Sequence, residues 1–118
     1  MKINSFKDLT VWQKSMTLVK AVYTIADQLP QREQLALASQ LRRSAVSIPS
    51  NIAEGTRRGT KKDYAQFLKI ANGSAAELET QLILTREIYA LGNISFAEQL
   101  LEEIQKMLNV MIRTLTKH

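Results

Sequence analysis

The chain has no cysteine, only four glycines and two prolines, and a single histidine at its last position, His118. Without cysteine it forms neither disulfides nor thiolate metal sites. With one terminal histidine it also lacks the parts for a Ser-His-Asp triad, a histidine zinc site or a di-iron bundle. A phosphate-binding P-loop is absent as well. We therefore predict a protein that is not an enzyme and that carries no metal and no cofactor.

Long apolar runs are also missing. The amino-terminal residues 1–7 lack the apolar stretch of a signal peptide. Elsewhere no apolar run approaches the roughly 20 residues that a transmembrane helix needs. The expected location is the cytoplasm, and no contact with a membrane is expected.

What the chain does have is helix-forming residues and positive charge. Alanine, leucine, glutamine, lysine and glutamate dominate and favour helix. The net charge is +5, and the excess lies between residues 42 and 69, where seven basic residues accompany two acids, Glu54 and Asp63. A local excess of positive charge indicates an anionic partner. The basic residues are Arg42, Arg43, Arg57, Arg58, Lys61, Lys62 and Lys69.

Apolar residues recur at alternating spacings of three and four, which is the period of an amphipathic helix. They predict helices near residues 8–29, 31–54, 60–91 and 95–116. The connections are short, so successive helices run antiparallel. We therefore predict one all-α domain over residues 1–118, an up-down-up-down four-helix bundle.

Local residue patterns predict how these helices begin and end. Gly55 is expected to adopt the left-handed conformation after helix 2. Thr60 with Asp63, and Ser95 with Glu98, have the spacing of capping boxes for helices 3 and 4.

Two residues inside helices need a separate explanation. Pro49 lacks a backbone donor, which predicts a kink in helix 2. Gly73 costs helix 3 on the order of 1 kcal/mol relative to alanine. We expect it where a neighbouring helix approaches closely.

Helix 1 carries a second line of apolar residues, roughly 110° from the first at 100° per residue. Helix 3 has a similar second line at Phe67, Ile70, Leu84, Ile88 and Leu91. One interpretation is a wide core-facing stripe. The other is a subunit interface, because large apolar patches rarely remain exposed. On the second interpretation the interface residues of helix 1 are Val11, Leu18, Val22 and Ile25.

Polar residues form matching lines on helices 2 and 3. The line on helix 2 is Arg43, Ser47, Asn51 and Glu54, and the line on helix 3 is Ser74, Glu77 and Gln81. If the lines meet, Arg43 can pair with Glu77 or Glu54. Such a network either fixes the packing register of the two helices or forms a small polar pocket.

The segment from Arg42 to Gly55, which includes Ser-Ile-Pro-Ser-Asn-Ile-Ala-Glu-Gly, resembles a known family, and the resemblance continues through residues 64–79 and at residues 9–13. It is similar to the four-helix-bundle proteins encoded in intervening sequences of bacterial 23S rRNA genes. The resemblance implies a ring-shaped homo-oligomer, typically a pentamer. It also implies kinship with the accessory variability proteins of diversity-generating retroelements, which bind nucleic acid and partner a reverse transcriptase.

Two functions are compatible with these observations. The first is binding of nucleic acid by a non-enzymatic oligomeric adaptor whose basic helix 2–3 turn contacts phosphates, with RNA as the favoured ligand. The second is a protein–protein scaffold that docks a partner enzyme such as a reverse transcriptase. Binding through phosphates depends steeply on salt, whereas binding through an apolar interface does not.

Overall fold

The computed structural model describes residues 5–117; Met1–Asn4 and the single histidine, His118, lie outside the described residues. A short 3-10 helix, Phe6–Asp8, precedes α1 (Thr10–Asp27). A second 3-10 helix, Gln31–Glu33, precedes α2 (Leu37–Thr56). The chain continues through α3 (Lys61–Ile88) and α4 (Ile94–Thr116).

Each α-helix packs against the next one in sequence, and α1 also packs against α4. The molecule measures 46 × 23 × 21 Å along its principal axes. These contacts and the short connections confirm the predicted all-α four-helix bundle with up-down topology. The ring-shaped assembly stays a prediction. One end of the bundle therefore collects the start of α1, the α2–α3 connection and the end of α4.

The largest departure from the predicted helices is the start of helix 2. It begins at Leu37 rather than near residue 31, because residues 31–36 form a 3-10 turn and a further turn. The Gln34 side chain holds this connection by donating to the carbonyls of Ala26 and Leu29, at 3.1 and 2.9 Å. Those carbonyls belong to the last turn of α1, where backbone acceptors lack helical partners.

The predicted interface on helix 1 is wrong. Val11 is 2% exposed, and Leu18, Val22 and Ile25 are fully buried in the core of the chain itself. Ser15 lies in the same line and is also buried, its hydroxyl donating to the carbonyl of Val11 at 2.7 Å. Both apolar lines of helix 1 fit the helical period of 3.6 residues. The line that contains Ser15 is the one that faces the core.

The second line of helix 3 behaves differently. Ile70 and Leu84 are each 45% exposed and Ile88 is 60% exposed. Leu84 and Ile88 are four residues apart and share one face of α3. This helix therefore does carry apolar surface that the bundle itself leaves uncovered.

The predictions for helix ends have mixed outcomes. Thr60 caps α3 as predicted, its hydroxyl accepting from the Asp63 backbone amide at 3.1 Å. The box at Ser95 is wrong, because α4 already begins at Ile94 after Asn93, whose φ of 71° is left-handed. Glu98 instead forms an ion pair with Arg86.

Gly55 is not a left-handed terminus either. It lies within α2, and a Cβ at this position would be 2.9 Å from Tyr64 Cδ1 and 3.1 Å from Phe67 Cβ. Glycine is therefore needed here because α3 approaches α2 closely. The close approach that was predicted at Gly73 is wrong, since a Cβ there would meet no atom within 4 Å.

Pro49 is buried within α2, which runs without interruption from Leu37 to Thr56. Among residues 5–117 no helix is both long enough and apolar enough to cross a membrane.

Candidate nucleic-acid interface

The α2–α3 connection is a short turn that carries basic side chains on its surface. α2 ends at Thr56, whose hydroxyl donates to the Ala53 carbonyl at 2.7 Å, and α3 begins after the Thr60 cap. The intervening residues and the first turn of α3 point into solvent. Arg57, Arg58, Lys61 and Lys62 are all exposed.

The two arginines of this turn lie over aromatic rings. The Arg57 guanidinium carbon is 5.7 Å from the centre of the Phe6 ring, and that of Arg58 is 4.5 Å from the Phe67 ring. Arg58 also forms a 2.7 Å ion pair with Glu54, one helical turn earlier. Arg58 is therefore partly neutralised, whereas Arg57 has no carboxylate within 4 Å among residues 5–117.

A groove of about 460 Å³ opens beside this turn, between the start of α3 and the end of α4. Lys62 and Lys69 form one side, Lys117 lies on the other, and Ala65 and Leu115 supply apolar lining. The antiparallel topology brings these segments together although they are far apart in sequence.

The α4 residues of this site were not predicted. Lys117, which follows α4, was missed, and so was Arg113, which is exposed in the last turn of α4. The predicted topology contained the signal, because it places the end of helix 4 beside the start of helix 3. We call the resulting surface the basic end, and it comprises Arg57, Arg58, Lys61, Lys62, Lys69, Arg113 and Lys117.

Arg42 and Arg43 do not belong to the basic end. They lie near the start of α2, about 20 Å from Arg57 at 1.5 Å per residue. Arg42 forms an ion pair with Asp27 at 2.9 Å, a hydrogen bond to Gln34 at 2.9 Å, and a contact with the Tyr23 ring at 5.7 Å. It therefore ties α2 to α1 and the connection between them.

Positive charge at the basic end is largely unpaired. Between residues 5 and 117, Lys61, Lys62, Lys69 and Lys117 have no carboxylate within 4 Å, and Glu54 is occupied by Arg58. Beneath this surface the Tyr64 side chain is half buried, and burial raises the pKa of its phenol. The charged groups of the basic end are therefore on the outside, with an aromatic side chain in the layer beneath them.

The predicted polar network forms in part. The Ser47 and Ser74 hydroxyls are 2.7 Å apart, and the Asn51 amide donates to the Ser47 hydroxyl at 3.0 Å. Gln81 accepts a 2.7 Å hydrogen bond from Ser44, which lies outside the two predicted polar lines.

The charged members of that network are not joined to it. Glu54 pairs with Arg58 rather than with Arg43. Within residues 5–117, Arg43 and Glu77 form no ion pair with each other and line opposite sides of an open groove. The expected pairing of Arg43 with Glu77 or Glu54 is therefore wrong.

Comparison with known proteins gives matches of two kinds. The family model described as 23S rRNA-intervening sequence protein matches residues 7–110. The fold is similar to a crystal structure of a protein of unknown function from the S23 ribosomal protein family of Bacteroides thetaiotaomicron, with a TM-score of 0.79 and 24% sequence identity. That match covers 88% of this chain and 99% of the other. No curated protein sequence matches.

Proposed function

Because the chain belongs to the 23S rRNA-intervening sequence protein family, we propose that it is a nucleic-acid-binding adaptor whose basic end contacts RNA. The observation that carries this proposal is the convergence of unpaired cations from α3, α4 and the α2–α3 turn on one end of the bundle. The family name adds a link to ribosomal RNA genes. The protein acts by binding and catalyses no reaction.

The groove between α3 and α4 suits a sugar-phosphate backbone. Lys62 and Lys69 on one side and Lys117 on the other can each neutralise a phosphate, and displaced counterions make such binding favourable at low salt. Arg57 lies on the adjoining surface with a planar, delocalised charge that can bind phosphate or stack on an unpaired base. Sequence-independent binding through shape and charge is the mode that this surface supports.

The proposal is tested by the fluorescence anisotropy of a labelled structured RNA titrated with protein freed of nucleic acid, at several salt concentrations. We expect binding that weakens steeply with salt, with a log–log slope of about −0.7 to −0.9 for each phosphate contacted. Reversing Arg57, Arg58, Lys61 and Lys62 to glutamate should abolish binding and leave helicity unchanged. Equal binding by this variant would show that the turn is not the site.

A homo-oligomeric ring is part of the same proposal. The exposed line on α3 supports it, since Leu84 and Ile88 form an adjacent apolar pair on the surface. Repetition of the basic end around a ring would add avidity to individually weak phosphate contacts.

Sedimentation velocity tests this assembly. The double variant Leu84→Glu, Ile88→Glu should shift the particle to a smaller mass while the helical circular dichroism stays the same. The matched control is Phe96→Glu, which places one charge at an exposed apolar residue of α4. An unchanged mass for the α3 variant would remove this face from the interface.

A scaffold for a partner enzyme is the second candidate function. Leu35 favours it, because this side chain is 96% exposed in the α1–α2 connection. A protein partner seated there would bind with a shallow salt dependence, and Leu35→Ser should weaken it without changing RNA binding.

A further inference from the structure

The groove between α2 and α3 is a second surface concavity, separate from the basic end. Its volume is about 460 Å³, and the side chains that line it are polar. Ser44, Ser74 and Gln81 are buried at its floor, and Ser47 is half buried beside them. Arg43 on α2 and Glu77 on α3 are exposed at its rim.

The floor retains hydrogen-bonding capacity that the protein does not use. The Ser44 hydroxyl proton is shared between two acceptors, the Gln40 carbonyl at 2.8 Å and the Gln81 side-chain oxygen at 2.7 Å. The Gln81 amide nitrogen makes no hydrogen bond within residues 5–117, and it is not sealed from solvent. It can therefore donate into the groove. Ser47 and Ser74 share a single proton between them, so one hydroxyl proton also remains available.

Helix packing alone does not require this composition. Buried polar side chains at a helix–helix contact contribute little net stability compared with apolar residues of similar volume. The rim adds a second feature, because Arg43 and Glu77 carry opposite charges and stay more than 4 Å from each other and from any other ion-pair partner within residues 5–117. A molecule placed between them would meet a cation on one side and a carboxylate on the other.

We propose that this groove binds a small zwitterion, with its carboxylate or phosphate on Arg43 and its ammonium group on Glu77. The arginine fork binds either anionic group in two-point geometry, and Glu77 accepts from an ammonium. The floor then hydrogen-bonds the polar centre of the ligand through Gln81 and the Ser47–Ser74 pair. A simple anion would be repelled by Glu77 and a simple cation by Arg43, which selects a molecule with both charges.

The test uses amide correlation spectra of the full chain, titrated with L-serine, L-threonine and phosphoethanolamine as zwitterions. Acetate and methylammonium serve as probes with one charge each. We expect shifts at the amides of residues 43–47 and 74–81 with at least one zwitterion, and affinities at least tenfold weaker for both single-charge probes. Comparison of the amino acids with phosphoethanolamine identifies the anionic group.

Arg43→Gln and Glu77→Gln should each weaken zwitterion binding about tenfold, whereas Glu87→Gln, an exposed acid elsewhere on α3, should leave it unchanged. RNA affinity should not change in Glu77→Gln, so failure here is distinct from failure of the nucleic-acid proposal. The zwitterion site is overturned if no zwitterion shifts these amides at tens of millimolar concentration. It is also overturned if acetate binds as tightly, or if Arg43→Gln binds unchanged.

Discussion

At the end of the bundle formed by the α1–α2 and α3–α4 connections, arginines are joined to partners from neighbouring segments. Arg42 pairs with Asp27, and Arg86 pairs with Glu98. Arg32 lies over the Tyr89 ring, whose hydroxyl donates to Glu33 at 2.7 Å. We call this the paired end.

At the basic end, Arg58 has one acidic partner, Glu54, one helical turn earlier in α2, and the other basic residues have no carboxylate within 4 Å among residues 5–117. Its lysines come from α3 and from Lys117, the residue that follows α4, so their charge is available to an external ligand. The two ends show that the number of basic residues does not by itself identify a binding surface. What distinguishes them is whether the fold supplies acids at the same place.

Equal charge reversal at the two ends should give the largest difference in RNA affinity between them. The variant Lys61→Glu, Lys62→Glu and the variant Arg32→Glu, Arg86→Glu change the net charge by the same amount. We expect the first to weaken RNA binding on the order of a hundredfold at low salt, through lost phosphate contacts and new repulsion. The second should change RNA affinity only a few-fold and should lower thermal stability. Anisotropy and thermal unfolding measure both, and equal weakening by the two variants would mean that net charge alone drives binding.

Two glycine substitutions sharpen the comparison, because Gly55 lies where α3 approaches α2 beside the turn and Gly73 lies at an open position of α3. Gly55→Ala should destabilise the fold by about 1–3 kcal/mol, because its Cβ would overlap Tyr64 and crowd Phe67. Gly73→Ala should stabilise it by up to about 1 kcal/mol, because the position is exposed, helical and unobstructed. Urea unfolding measures both free energies. A Gly55→Ala protein as stable as the wild type would mean that α2 and α3 can separate at this point without cost.

The contribution of α4 to the basic end gives a smaller effect. Arg113→Gln and Lys117→Gln should each reduce RNA affinity a few-fold and lower the magnitude of the salt slope by about 0.7 to 0.9. Lys20→Gln, which removes an exposed charge from α1, is the control. If Lys20→Gln changed the slope as much as the other two, RNA would not be confined to the basic end.

The paired end should show its own, smallest effect at alkaline pH. The hydrogen bond from the Tyr89 hydroxyl to Glu33, together with burial, raises the pKa of this phenol. Its contribution to stability is therefore complete below the unfolded-state pKa of about 10 and is lost as the pH rises through the higher folded-state pKa. Urea unfolding of the wild type and Tyr89→Phe should show the advantage of the wild type shrinking above about pH 10. If the difference in unfolding free energy between the two proteins stayed constant across that pH range, ionisation of Tyr89 would not be linked to folding.

The helical period of the sequence was sufficient to predict four helices and their order, and the Thr60 cap was readable from local chemistry. Periodicity gives the direction of an apolar line but does not rank two lines on one helix, which is why Leu18 and Val22 were assigned to a surface. The role of Gly55 depends on how closely α3 approaches, a distance that no local pattern contains.

The candidate site was predictable only where it is local in sequence. Arg57, Arg58, Lys61 and Lys62 follow one another closely and were recognised as a cluster. Arg42 was grouped with them by its position in the chain, although its partners Asp27 and Gln34 come from elements that fold against the start of α2. Lys117 is far from this cluster in sequence and lies beside it only because α4 packs antiparallel against α3, so no local pattern indicated it.

The single tryptophan gives the basic end a built-in optical reporter. The Trp12 ring packs edge-to-face against Phe6 at 5.2 Å, and the Arg57 guanidinium lies over the same Phe6 ring. A ligand that draws Arg57 away from Phe6 changes the surroundings of the Trp12 indole, which is in contact with the Phe6 ring. Intrinsic emission, without any attached dye, can therefore follow occupancy of this end in the unmodified protein.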